Sequence, residues 1–173
     1  MALCLCLSAC SSYIDTSKPQ DTIKLQQNID NARITGRIAF FTKKERQSLR
    51  FVLLKHQKDQ DLHLLSPIGS TLATISIKES LVIFKGSDNY FEGNSVDDLV
   101  YKAFGFHIPL DNVYALMTGC INNLSYDAKG YPQRARLNGF DINYKDFSYR
   151  SNLLLPKSLD IKNKDYRIKI VLD

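Results

Sequence analysis

From Ala32 onward, apolar residues recur at every second position. Ile34, Gly36, Ile38 and Phe40 fall on one side of an extended chain, with Thr35 and Arg37 on the other. That period fits a strand with one buried face, and a chain that repeats it must build a sheet and cover it. The pattern does repeat. A second strand over residues 47–56 aligns Leu49, Phe51 and Leu53, and the polar run from Gln57 to Asp61 turns the chain into Leu62-His63-Leu64-Leu65. Ala73, Ile75 and Ile77 then alternate, followed by Leu81-Val82-Ile83-Phe84. Sequential strands with short connections make an antiparallel meander. Nine Tyr, nine Phe and no Trp favour strands over helices, and 173 residues at 44% hydrophobic and 24% charged suit one domain with one core.

Helical spacing appears in three places. Pro19 can open a helix over residues 19–32 with Ile23, Leu25 and Ile29 as its stripe. Ser95 caps a second helix with Asp97 and Asp98 in its first turn, at the positive end of the dipole. In that helix Leu99, Val100, Ala103 and Phe104 repeat at helical spacing until Gly105 stops it. A third follows Pro109, capped by Asp111, with Val113, Leu116 and Met117 on one side and Gly119 at its end. Strands resume over residues 122–128, 133–138, 140–148, 158–162 and 166–172, separated by Lys129-Gly130, Asn138-Gly139 and Asn163-Lys164-Asp165. The expected fold is mainly β with short helices (α+β): a long antiparallel sheet that curls, with helices 95–104 and 111–118 as lids over an apolar concave face.

The first ten residues, Met-Ala-Leu-Cys-Leu-Cys-Leu-Ser-Ala-Cys, are uncharged and apolar or small, as at the end of a secretory signal. Leu7-Ser8-Ala9-Cys10 resembles the lipobox of bacterial lipoproteins, which implies cleavage before Cys10 and acylation of that cysteine. The chain then divides into a removed signal (1–9), a lipidated tether (10–18) and one domain (19–173). Cleavage removes Cys4 and Cys6 and leaves Cys120 without an intramolecular disulfide partner. No stretch after Cys10 approaches the ~20 apolar residues that a spanning helix needs, so the lipid would be the anchor. The net charge of +5 is spread along the chain and densest at Lys43, Lys44 and Arg46. It suits a solvated surface, or contact with anionic head groups or an acidic partner. Nucleic acid is not an expected partner of an exported lipoprotein.

Nothing in the sequence points to catalysis. His56 and His63 flank a turn instead of standing four apart on a helix, and His107 is isolated, so none reads as a metal ligand. Cys120 has no nearby His and reads as structural. Asp97-Asp98 caps a helix, and there is no Gly-x-Ser-x-Gly, His-Glu-x-x-His or phosphate-cradling glycine loop. No metal, cofactor or enzymatic activity is expected.

The segment Leu65-Ser66-Pro67-Ile68-Gly69-Ser70-Thr71 is the anomaly. Ser66, Pro67 and Gly69 suit the first, second and fourth positions of a type I turn, which puts Ile68 on a corner. Burying such a side chain is worth roughly 1.5–3 kcal/mol, so a lipid or partner could use it. Alternatively it folds back onto the sheet.

Taken in order, these pieces resemble the LolB family of outer-membrane lipoproteins, which receive other lipoproteins from the periplasmic carrier LolA. The resemblance runs through Gly36-Arg37-Ile38-Ala39-Phe40, the turn Leu65 to Thr71, Ile108-Pro109-Leu110-Asp111, Thr118-Gly119 and Arg167-Ile168-Lys169-Ile170. It implies an incomplete barrel whose helices cover an apolar cavity for acyl chains. It further implies a monomer that faces the periplasm from the outer membrane, and a protruding turn, Pro67, Ile68 and Gly69, that helps put cargo into the bilayer. Candidates for the cavity lining are Ile38, Phe40, Leu49, Phe51, Leu53, Ile75, Ile77, Leu99, Phe104, Leu116 and Met117, each of which fits plain core equally well. Ser11 after the cysteine is compatible with outer-membrane sorting. The family usually carries Trp in the second strand and in the helix before Thr118-Gly119, whereas this chain has Tyr114 and Leu116 in the latter region. A soluble-carrier-like or glycolipid-binding lipoprotein of similar shape, a structural or adhesive lipoprotein with a filled core, and a lipid-acting hydrolase are the competing functions.

Overall fold

The computed structural model describes residues 18–43, 45–105, 107–108 and 112–173. The proposed signal, Cys10 and most of the tether, together with Lys44, Pro109 and the expected cap Asp111, lie outside these residues. Among the described residues eleven strands form one sheet in the order β6-β5-β4-β3-β2-β1-β11-β10-β9-β8-β7. The first meander comprises β1 (Asn31–Phe41), β2 (Arg46–His56), β3 (Asp59–Leu65), β4 (Thr71–Ile77), β5 (Val82–Gly86) and β6 (Tyr90–Gly93). The second comprises β7 (Leu124–Tyr126), β8 (Pro132–Leu137), β9 (Phe140–Arg150), β10 (Leu153–Lys162) and β11 (Arg167–Leu172). Antiparallel pairing of β1 with β11, from Gly36↔Leu172 to Phe41↔Arg167, welds the two halves at the sheet's centre.

The architecture corrects the expectation of an incomplete barrel. The sheet is open: its order is linear, and β6 and β7 are its two edges. Both edge strands are very short, which limits what they offer to another strand. The chain between them does not extend the sheet. It forms α2 (Val96–Phe104) and α3 (Val113–Thr118), which pack on the sheet through β5, β6 and β10 and so bury its apolar face without closure. β6 was not expected from the sequence, because Tyr90-Phe91-Glu92-Gly93 is too short for its alternation to register.

The buried face is the one the alternation marks. Ile34 and Ile38 of β1, Phe51 and Leu53 of β2, Leu62 and Leu64 of β3, and Ile75 and Ile77 of β4 all join the core. Gly36 shares this row for a spatial reason. A Cβ there would stand 2.3 Å from the Val171 carbonyl oxygen and 3.0 Å from the Phe51 ring. Glycine therefore lets β11 and Phe51 close on β1 at the weld.

The first helix, α1 (Pro19–Gln26), is shorter than the expected 19–32, and its buried residues are Ile23 and Gln26 while Leu25 is exposed. Gln26 is buried because β10 needs it. β10 pairs with β11 only from Ser158 onward, so Leu154 has no strand neighbour on that side. The Gln26 amide supplies both missing bonds, donating to the Leu154 carbonyl at 3.2 Å and accepting from the Leu154 N–H. Pro156, two residues on, lies in the same unpaired stretch, where a missing N–H does no harm. That stretch, Leu153-Leu154-Leu155-Pro156, is wholly buried and unbroken by polar residues, so the expected strand at 158–162 misses it.

Candidate functional site

α2 begins as its sequence indicates. Ser95 Oγ accepts from the Asp98 N–H at 3.3 Å, and Gly105 ends the helix with φ +76°. Asp97 then fixes the following chain, accepting from the Ile108 N–H at 2.7 Å and lying 2.8 Å from His107 Nδ1. α3 is capped by Asn112, whose side chain accepts from the Ala115 N–H at 2.8 Å. All six residues of α3 are buried, so it has no solvent side, contrary to the one-sided helix expected. A buried helix end must find partners for its free N–H groups. Gln60 of β3 provides one, its Oε1 accepting from the Tyr114 N–H at 2.9 Å while its Nε2 donates to Asn112 at 3.3 Å. At the other end Tyr144 of β9 donates to the Leu116 carbonyl at 3.0 Å, and the Tyr114 hydroxyl donates to the Gln26 carbonyl at 2.9 Å.

Burial raises the phenol pKa values of this cluster. Tyr114 is pushed up to about 12 by desolvation and secondarily by the neighbouring Cys120, and Tyr144 still higher by the same causes. Desolvation also raises the Cys120 thiol, against smaller opposing effects of Gln27 and Lys24, so the thiolate is disfavoured. The group is a neutral structural knot.

Between α2 and the sheet lies an apolar recess lined by Ile38, Phe40, Leu49, Leu62, Leu64, Ile75, Val100, Phe104 and Ile108, with Gln47 as its polar member. Its volume is about 30 Å³, roughly that of one water molecule and far below the 300–1,000 Å³ of a typical ligand pocket. Phe40, Gln47 and Phe104 also line an outer groove of about 380 Å³, so these three side chains separate the recess from solvent. Phe104 stands edge-to-face on Phe84, with ring centroids 5.6 Å apart, and is 38% exposed.

Of the expected lining, Ile38, Phe40, Leu49, Ile75 and Phe104 meet at this recess. Phe51, Leu53, Ile77, Leu99, Leu116 and Met117 are packed core outside this recess. Leu62, Leu64, Val100 and Ile108 were not among the expected residues. The alternation of Leu62 and Leu64 already marked a buried face, but period alone does not say which part of that face a helix leaves uncovered.

The turn after β3 is well defined. The Ser66 carbonyl accepts from the Gly69 N–H at 2.9 Å, the Ser66 N–H donates to the Ser70 carbonyl at 2.8 Å, and Ser66 Oγ accepts from the Ser70 N–H at 3.1 Å. Gly69 has φ +94°, a left-handed geometry that favours glycine. Pro67 and Ile68 form the tip, and Ile68 is 90% exposed. It does not fold back onto the sheet. Register places this turn toward the same end as the outer groove: Leu65 pairs with Arg50, and Gln47 lies three residues before Arg50 on β2.

The described site is thus a small apolar recess under α2 on an open antiparallel sheet, with an exposed aliphatic tip at the same end. The family model described as outer membrane lipoprotein LolB matches residues 30–173. The chain belongs to the LolB family. Outer-membrane lipoprotein LolB of Serratia proteamaculans is 25% identical over 158 residues, covering 85% of this chain and 75% of its own. The LolB of Photorhabdus laumondii is 26% identical over 88% of this chain and 77% of its own, and that of a Marinomonas species 22% identical over 100% and 93%. Among solved structures, a LolA superfamily protein from Nitrosomonas europaea superposes with a TM-score of 0.58 at 11% identity, covering 90% of this chain and 88% of that one. That likeness is one of fold. As a LolB-family member the protein is lipid-anchored at the outer membrane, faces the periplasm and works in lipoprotein transport, not in catalysis.

Proposed function

We propose that this protein accepts lipoproteins from a LolA-like periplasmic carrier, holds their acyl chains between α2 and the sheet, and delivers them into the outer membrane. In this reading residues 1–9 are a removed signal, Cys10 carries the anchoring lipid, residues 10–18 are the tether, and residues 19–173 act as a monomeric receptor domain. The observation that carries it is Ile68, an aliphatic side chain 90% exposed on a turn held by three hydrogen bonds. A rigid turn that presents its apolar tip to water gains only when a nonpolar phase receives the tip.

The recess is the acyl site in its resting, closed form. Admitting a chain requires Phe104 to leave Phe84 and α2 to rise from β5 and β6, which exposes Leu49, Leu64 and Ile75 to the incoming methylenes. Each methylene buried contributes ~0.8 kcal/mol, so transfer needs no nucleotide or other cofactor and runs downhill from carrier to receptor to bilayer. Tyr114 and Leu116 in α3, where the family usually has Trp, are fully buried here. They belong to the packing of α3 on the sheet, apart from the recess that would hold cargo.

The decisive experiment loads a purified carrier with a radiolabelled lipoprotein, adds this protein, and then adds outer-membrane vesicles. Transfer to the protein and then to the vesicles is the expected result. A label that stays on the carrier refutes the receptor reading. Ile68→Glu should accept cargo normally but fail to pass it on, and normal delivery by that variant would refute the role of the turn.

A further inference from the structure

We propose that Arg37 and Arg50 form a clamp for the phosphate of an anionic phospholipid, which seats the Ile68 turn on the membrane. The proposal rests on the membrane role of Ile68 given above. Arg37 of β1 and Arg50 of β2 are register partners, directly opposite one another on the outer, exposed face of the sheet. Like charges so placed repel and destabilise a sheet. Among the described residues neither guanidinium has a hydrogen-bond or ion-pair partner, and Asp173 is the one acidic side chain in their groove. Two opposed guanidinium groups can together hold one phosphate, which would relieve their mutual repulsion.

The surroundings indicate which anion. The two arginines share a groove of about 540 Å³ with Ser48, Leu49, Pro67 and Asp173. Ser48 adds a hydroxyl, and Leu49 and Pro67 add an apolar wall. Asp173 is the one acidic side chain of the groove; Arg150 Nη1 reaches the adjacent main chain, donating to the Leu172 carbonyl at 2.8 Å and the Asp173 main-chain oxygen at 3.3 Å. Leu65 continues the same rung, so Ile68 stands three residues beyond the pair. A guanidinium fork suits phosphate oxygens, and an adjoining aliphatic tip suits acyl chains just below them. A small soluble anion would use only the first feature, whereas a phospholipid uses both. One apolar side chain gives only marginal membrane binding, and a basic site beside it supplies the second signal.

The test measures co-sedimentation of the full chain carrying Cys10→Ala, so that no acyl anchor contributes. Vesicles are of phosphatidylcholine, with or without about one third phosphatidylglycerol as anionic lipid. Wild type should prefer the anionic vesicles, and added salt should weaken that preference. Arg37→Gln/Arg50→Gln should lose about 30-fold in affinity for anionic vesicles, roughly five-fold per arginine, and keep its affinity for neutral ones. Lys129→Gln/Lys164→Gln removes the same charge at two distant turns and should keep most of the preference. Circular dichroism of each variant monitors folding. An undiminished preference in the arginine variant, or an equal loss in the lysine variant, overturns the clamp. Ile68→Glu separates the two readings: it should weaken binding to both vesicle types, and full binding by it overturns the membrane role of the turn instead.

Discussion

The Gln26 amide stands in for a missing strand, and its removal has a calculable cost. In Gln26→Ala the Leu154 N–H and carbonyl both lose their partner at a site where Leu154 is buried. An unsatisfied buried group costs about 1–3 kcal/mol, the carbonyl toward the lower end, so the pair together should cost about 2–4 kcal/mol. With a urea m-value of about 2 kcal/mol/M, the unfolding midpoint falls by about 1–2 M. That is a large part of a stability of about 5–15 kcal/mol. Equilibrium urea denaturation followed by tyrosine fluorescence and circular dichroism measures the shift. Gln26→Leu preserves the side-chain bulk but not the amide, and should be destabilised nearly as much as the alanine variant. If leucine restores wild-type stability, Gln26 acts by filling space and the strand-substitute account fails.

Other perturbations probe other parts of the molecule. Gly36→Ala forces a Cβ against the Val171 carbonyl at 2.3 Å and should cost about 1–3 kcal/mol in denaturation; a neutral effect would mean that β1 and β11 separate easily. Phe104→Ala removes the side chain between recess and groove, so uptake of a fluorescent fatty-acyl probe should quicken, and unchanged uptake would place the entry elsewhere. Alkali should unfold the protein through its phenols. The folded values of Tyr114 and Tyr144 lie above the ordinary 10, so their stabilisation is complete below pH 10 and falls as pH rises toward about 12 and beyond. Tyr144→Phe should flatten that decline, and an unchanged slope would assign it to other groups.

The sequence shows the first meander almost residue by residue, because β1 to β4 each have one buried and one exposed face and alternate cleanly. Legibility fails where that condition does. Leu153 to Pro156 are all buried and so carry no period, and α3 is buried all round, which hides its facing. The polar Gln26 was invisible as an inward residue because its reason lies 128 positions away, at an unpaired stretch of β10. Turn chemistry puts Ile68 on a corner but leaves open whether it folds back onto the sheet, and the recess is not legible at all, since its boundary depends on where α2 lies. Closure is illegible for a related reason: strand count suggests rolling, but the described part of the segment between β6 and β7 forms α2 and α3, which cover the face instead.

The weld of β1 to β11 also constrains the order of events during synthesis and export. The middle of this sheet joins β1 to β11, so the central contacts, including Gly36 against Val171, cannot form until β11 has been synthesised. Loop closure over so long a separation is slow and entropically costly before it is rewarded. The meander β1 to β6 can pair locally before then, but the two halves of the sheet lock together only when β11 arrives.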